Sequence, residues 1–381
     1  MRKFSVIKKT KCDVAVIDRS GDEWLKYCIP ENLSVSSIDI HNSLPIVASF
    51  SFAYNVIRII KQNGINGVSL LSVVISELQP KVVLTLSDNN SFMGELQSAF
   101  PDILFISVQN GARSENEKCF DQKGKEYGFP FYFGFGAHEL EIMHNKRVNV
   151  KKYYPKGSFK MGVFLSSFYN QGEVPSNARG ISFISQYRAR IIDSDSLLWI
   201  KFAAASRNIC KLLSKFSKEH DLRINILMVN SEADEDYQDE LVFFQDVFGH
   251  TGITYCANNR SSMSSYNIGM HSDLVIAFDS TLLWELFGFG KKILYCGGVD
   301  RELANLYYGS TSQGACLPNE TTLTSWNYEE FKTKVSILLK IDDSHFFRTT
   351  LKSRKYYMDF NGKYAHQAIH DIIKENTTGV H

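Results

Sequence analysis

The stretch HSDLVIAFDSTLLWELFGFGKKILYCGG (His271 to Gly298) gathers residues suited to holding an anion. A continuous apolar run ends at Phe278, Asp279-Ser280-Thr281 supplies a turn, and a helical pattern opens directly behind it. A helix start leaves its first backbone N–H groups without acceptors and carries the positive end of the helix dipole, so it attracts phosphate-like groups. The hydroxyls of Ser280 and Thr281 add donors at the same place. Glu285 follows Thr281 by four residues, on the same helix face, where a carboxylate can accept from sugar hydroxyls. A plainer reading is equally open: Asp279 or Ser280 caps the helix, and Glu285 is a solvated charge.

Other candidates also follow apolar runs. Ser185, Gln186, Arg188 and Arg190 come after GISFISQ (Gly180 to Gln186), and the two arginines could neutralise a departing phosphate or form a solvated basic turn. Asp88, in Ser87-Asp88-Asn89-Asn90, lies between the run KVVLTL and a helical segment, where it is either a general base or a helix cap. Asn89, Gln109, Asn110 and Arg113 are placed to meet an acceptor, with Gly111 allowing a tight turn. His138 and Glu139, after Gly134-Phe135-Gly136, form a second base candidate with nothing to fix their direction.

Three further groups read as structure. Asp193-Ser194-Asp195 has the spacing of a metal-binding DxD string but immediately precedes a long helical pattern, so it reads as a cap. His366 and His370 stand one helical turn apart without a third ligand. The run Asp234-Glu235-Asp236, with Asp239 and Glu240 behind it, reads as a solvated helix start. No metal site is therefore expected.

The elements that must position these residues alternate. The runs DVAVID (13–18), KVVLTL (81–86) and ILFISV (103–108) predict buried strands, with helices over SFAYNVIRIIKQNG and SFMGELQSAF between them. A loop-rich stretch from about Phe164 to Arg179 follows. Alternation then resumes with GISFISQ, the long helix LLWIKFAAASRNICKLLSKFSKEH, RINILMV, DLVIAF, LLWELFGFG and KILYCGG. Such alternation predicts parallel, doubly wound sheets, and ligands in them lie beyond the carboxyl ends of the strands. The expected organisation is a first Rossmann-like domain over 1–165, a second over 179–345, and C-terminal helices over 346–381 that return to the first domain, the two domains facing across a cleft.

Composition narrows the partners. At 381 residues the chain has room for two domains, and 44% hydrophobic with 22% charged residues is a folded composition. Lys plus Arg (42) and Asp plus Glu (41) leave +1, so no whole-chain field favours nucleic acid. Seven scattered cysteines without CxxC suit reduced thiols. With no signal-like or 18-residue apolar segment, a cytoplasmic protein is expected, with at most peripheral contact at the inner membrane face.

The Asp-Ser-Thr strand end, the Glu four residues on and the Gly-x-Gly turn before a second short strand resemble the donor-binding half of GT-B glycosyltransferases. LTLSDNNSFMGEL, FISVQNGAR and YYPKGSFKMG resemble segments of a bacterial surface-carbohydrate biosynthesis group of that architecture. The resemblance implies a metal-independent transferase that moves a sugar from a nucleotide-activated donor to a glycan or lipid-linked acceptor. Ser280 and Thr281 would hold the donor phosphates, with Asp279 beside them in the donor site, and Glu285 the ribose, while Ser185, Gln186 and Arg188 would face the same phosphates. The Gly-rich turn common near the start of such chains is weak: Gly21 follows Asp18-Arg19-Ser20 without GxGxxG. A nucleotide-sugar epimerase, a glycerophosphate-type transferase and a non-catalytic nucleotide or sugar binder share the same plan.

Overall fold

The computed structural model describes residues 3–7, 10–17, 22–40, 43–63, 66–86, 88, 92–115, 120, 128–169, 179–188, 196–248, 252–308 and 314–378. The chain divides into two compact units: residues 1–111, 117–162 and 361–381 form unit 1, and residues 112–116 and 163–360 form unit 2. The change of unit at 162/163 falls inside a helix, Phe159–Ser167, which runs into the stretch that reads as loop in the sequence. Of the C-terminal region, residues up to Phe360 belong to unit 2 and the rest to unit 1, where Lys81 Nζ donates to the Thr377 carbonyl at 2.7 Å.

Unit 1 is built on a six-stranded parallel sheet. Its strands are β2 (Val14–Ile17), β3 (Val35–Ile38), β5 (Val82–Thr85), β6 (Leu104–Val108), β7 (Phe129–Gly134) and β8 (Val150–Pro155), in the order β3-β2-β5-β6-β7-β8. A separate parallel pair joins β1 (Lys3–Ile7) to β4 (Ser43–Val47). The helices include α2 (Phe50–Asn63), α3 (Gly67–Leu78), α4 (Met93–Ala99), α5 (Ala137–Asn145) and α15 (Ala365–Thr378). Strands β2 and β5 are buried at every position, as a sheet covered on both faces requires. Their apolar faces pack with α2, α3 and α4 into one core through Phe52, Leu71, Val74, Met93 and Leu96.

Unit 2 carries a five-stranded parallel sheet of β9 (Ile181–Ile184), β10 (Ile224–Leu227), β11 (Ile253–Cys256), β12 (Leu274–Ala277) and β13 (Ile293–Tyr295), in the order β11-β10-β9-β12-β13. The chain steps from β9 outward to β11, then returns to the other side of β9 with β12. This places a topological switch point between β9 and β12, where ligands bind in open sheets of this kind. The loops after those two strands carry Ser185, Gln186 and Asp279 to Thr281. The helices α7 (Leu197–His220), α8 (Tyr237–Phe248), α9 (Ser264–His271), α10 (Thr281–Phe289), α12 (Tyr328–Lys340), α13 (Asp343–Thr349) and α14 (Leu351–Tyr357) belong to this unit. Among the described residues no helix is long and apolar enough to cross a membrane.

Candidate functional site

In unit 2, two loops far apart in sequence meet at the switch point. The Asp279 N–H donates to Gln186 Oε1 at 2.5 Å, so the turn after β12 is fixed by the loop after β9. Asp279 does not cap α10. Its Oδ1 accepts from the Trp284 indole N–H at 2.9 Å, which holds the carboxylate against the buried side of the helix. Ser280 occupies the N-cap position and is only half-buried. Among the described residues its hydroxyl, at the start of α10, makes no capping bond. The Thr281 hydroxyl is engaged instead: it accepts from the Ala112 N–H at 3.1 Å.

Glu285 is not a solvated charge. It is buried on α10 and accepts from the Tyr266 hydroxyl at 2.8 Å. Burial and the adjoining carboxylate push the Tyr266 phenol well above its ordinary range, so it stays a donor. Ser185 is buried too. Its hydroxyl donates to Glu240 and accepts from the Tyr187 N–H at 3.1 Å. Arg188 lies exposed on the same loop, its guanidinium bonded to the Tyr187 carbonyl at 2.8 Å.

Glu240 is the residue that the sequence pattern misplaces. Grouped with an acidic, solvated helix start, it has no solvent exposure and accepts from Ser185, from the N–H groups of Val229 (2.9 Å) and Asn230 (3.0 Å), and from Asn230 Nδ2 (2.9 Å). It thus ties the loop after β9 to the loop after β10. The rest of the acidic run behaves as expected: Glu235 and Asp236 are exposed, and Asp234 pairs with Arg260 at 2.8 Å.

The corresponding loops of unit 1 are closed. Asp88, expected at a ligand-facing position, has 0% exposure; its Oδ1 accepts from the Asn110 N–H at 3.2 Å and its Oδ2 from the Tyr132 hydroxyl at 2.5 Å. Nor is it a cap, because α4 starts at Met93 with Phe92 as its N-cap. Gln109, also buried, donates to Glu139 Oε1 and the Gly111 carbonyl, both at 2.9 Å, and accepts from the Phe135 N–H at 2.8 Å. Glu139 is thereby held in one direction, with His138 Nδ1 3.7 Å away, which corrects the expectation that nothing orients this pair. Tyr153 stacks on Tyr132 at 5.8 Å and donates to the Gly136 carbonyl at 2.5 Å. Gly134 is required there, since a Cβ would lie 2.1 Å from the Tyr153 hydroxyl. Arg113, buried, falls in the short segment 112–116 that clusters with unit 2, next to the Ala112 that bonds Thr281.

Asn89, Arg190, Asp193 to Asp195 and the Asp18 to Gly21 turn lie outside the described residues. His366 is buried in unit 1 between the rings of Phe159 and Tyr364, and burial lowers its pKa to about 4; His370 pairs with Asp371 at 3.7 Å. Among the described residues no group of three or more His, Cys, Asp or Glu is placed to hold a metal ion.

A family model described as "putative O-antigen biosynthesis protein" matches residues 106–298. The match covers just over half of the chain and takes in the loop after β6 and the whole β9/β12 switch point. The chain belongs to this family. No curated protein sequence matches it. Solved structures align over nearly the full length. The S. aureus MnaA–UDP co-structure has a TM-score of 0.56 at 13% identity, covering 95% of this chain and 96% of that one. The Methanocaldococcus jannaschii UDP-GlcNAc 2-epimerase in complex with UDP-GlcNAc and UDP gives 0.55 at 12%, covering 97% and 99%. A glycosyltransferase from Rickettsia africae gives 0.51 at 12%, covering all of both chains. At these identities the likeness establishes the fold, two Rossmann-like domains of the GT-B type.

Proposed function

We propose that the protein is a glycosyltransferase of surface-glycan assembly that moves a sugar from a nucleotide-activated donor to a hydroxyl of a glycan or lipid-linked acceptor. The observation that carries the reading is the Gln186–Asp279 junction at the switch point of unit 2, beside which the Ser280 hydroxyl, without a capping bond, stands at the start of α10, the place where such sheets bind nucleotides. The donor phosphates lie at Ser280 and the helix start. Glu285, oriented by Tyr266, takes the ribose hydroxyls. Asp279, Gln186 and Ser185 hold the two loops in place, and Thr281 links them to segment 112–116. Charge on the departing nucleotide is met by the helix dipole and Arg188, without a divalent ion. On the acceptor side, Gln109 and Asn110 shape the loop after β6, and Arg113 follows it. Asp88 acts as a positioning residue for that loop, since both its oxygens are already occupied.

The likeness to a UDP-GlcNAc 2-epimerase favours a second reading, inversion of a sugar centre on the nucleotide sugar itself. Incubation with a panel of nucleotide sugars, with and without glycan acceptors and in the presence of EDTA, separates the two. Transfer predicts nucleotide release that rises with acceptor and persists in EDTA. Epimerisation predicts a new nucleotide sugar in the NMR spectrum without acceptor. Neither product, with no nucleotide bound, would overturn both.

A further inference from the structure

At the opposite end of the unit 2 strands, where α10 ends and β13 begins, lies a cavity of about 450 Å³. Pockets of this size hold small organic ligands. Three cations line it, Lys291, Lys292 and Arg348, against one acid, Asp343. Lys292 and Asp343 pair with each other at 2.7 Å. That leaves Lys291 and Arg348 as the lining cations whose side chains have no ion-pair partner among the described residues. Lys291 is the costly one, because burial pulls its ammonium pKa down despite Asp343 and Asp273 nearby.

The rings of Tyr169, Phe289 and Phe347 form most of the remaining wall, with Met270 and Ser344. The floor depends on Gly290, whose φ of +101° ends α10 and whose missing Cβ makes room for the Phe347 ring. A net charge of two positives matches a phosphate monoester, which carries about −1.5 to −2 near neutral pH. The volume leaves space for an organic body against the rings. We infer that this pocket is a second ligand site, one that binds a phosphorylated small molecule of sugar size through Lys291 and Arg348. It is separate from the switch point, since the nine residues of α10 set the two roughly 13 Å apart along the helix.

The test is calorimetric titration of the full chain with glucose 1-phosphate as probe, with and without saturating UDP, in wild type, Lys291→Met and Arg348→Gln. The expected result is binding that UDP does not displace and that each variant weakens about tenfold or more. Lys291→Met should melt no lower than wild type, since it removes a desolvated charge and keeps the bulk. Absence of binding, displacement by UDP, or unchanged affinity in both variants would overturn the inference. So would a lower melting temperature for Lys291→Met together with unchanged affinity in Arg348→Gln. Failure of UDP to bind bears on the switch-point reading alone.

Discussion

In unit 2, the loop after β12 spends the Asp279 backbone on Gln186 and its carboxylate on Trp284, yet leaves the Ser280 hydroxyl, at a helix start, without a capping bond. In unit 1, the loop after β5 holds its carboxylate at zero exposure, with Asn110 and Tyr132 on the two oxygens, and Gln109 and Glu139 close on each other beside it. Both loops follow central strands of parallel sheets and both are rich in residues able to do chemistry. The difference teaches that a polar residue at a strand end becomes a ligand group only where the surrounding fold does not already use up its hydrogen bonds.

Replacing residues that hold the loops together should sharpen this contrast, and Glu240→Ala carries the largest expected effect. It strands four donors from two loops, and at about 1 kcal/mol each the cost is about 4 kcal/mol. Denaturant unfolding should report that loss, together with weaker nucleotide binding as the loop after β9 loosens. Full stability would mean that Glu240 does not organise the site.

Asp88→Ala comes next. Two donors, the buried Tyr132 hydroxyl and the part-buried Asn110 N–H, lose their acceptor, at about 1 kcal/mol each for about 2 kcal/mol in total, whereas Asp88→Asn keeps an acceptor oxygen and should lose less. A catalytic base at Asp88 would instead give an Asn variant that keeps its stability and loses turnover by about a hundredfold or more. That outcome would break the contrast, because it makes the closed loop catalytic.

At neutral pH the smallest of the stability effects is that of His366. Its folded pKa, about 4, lies below the ordinary value near 6.5, so the unfolded chain takes up more protons between these limits. Stability should be unaffected above pH 6.5 and should fall as pH drops toward 4, by at most about 3 kcal/mol. His366→Phe, suited to the aromatic site beside Phe159, should flatten that part of the profile. Parallel profiles for the two proteins would contradict the burial argument.

The sequence was most informative where a single strand could be read alone. Apolar runs such as VAVI, VVLT, INIL and LVIA appear as buried strands, and the helix over Leu197–His220 has the expected bounds. Two classes of element were harder. FPFYFG in β7 carries a proline and aromatic residues on both faces, and ITYC in β11 is only half-buried, so neither announces a core strand. Within the site, the strand ends pointed to Gln186, Asp279 and Ser280, because position after a strand is a local property. Burial of Glu240, and the bonds from Tyr132 to Asp88 and from Tyr266 to Glu285, depend on residues 44 and 19 positions away in the last two cases. Nothing local in the sequence encodes those pairings. The acidic neighbours of Glu240 even argued for the wrong environment.

The central claim is that the β9/β12 switch point of unit 2 binds the nucleotide. Titration of UDP into the wild-type protein and into Glu285→Gln tests it most directly, because the substitution keeps the volume and an acceptor for Tyr266 while removing the charge offered to the ribose. Measurable UDP binding is predicted for the wild type, with affinity about tenfold or more weaker in the variant, roughly 1.4 kcal/mol, at an unchanged melting temperature. Equal affinity in a folded Glu285→Gln protein, or no UDP binding by the wild type, would contradict it.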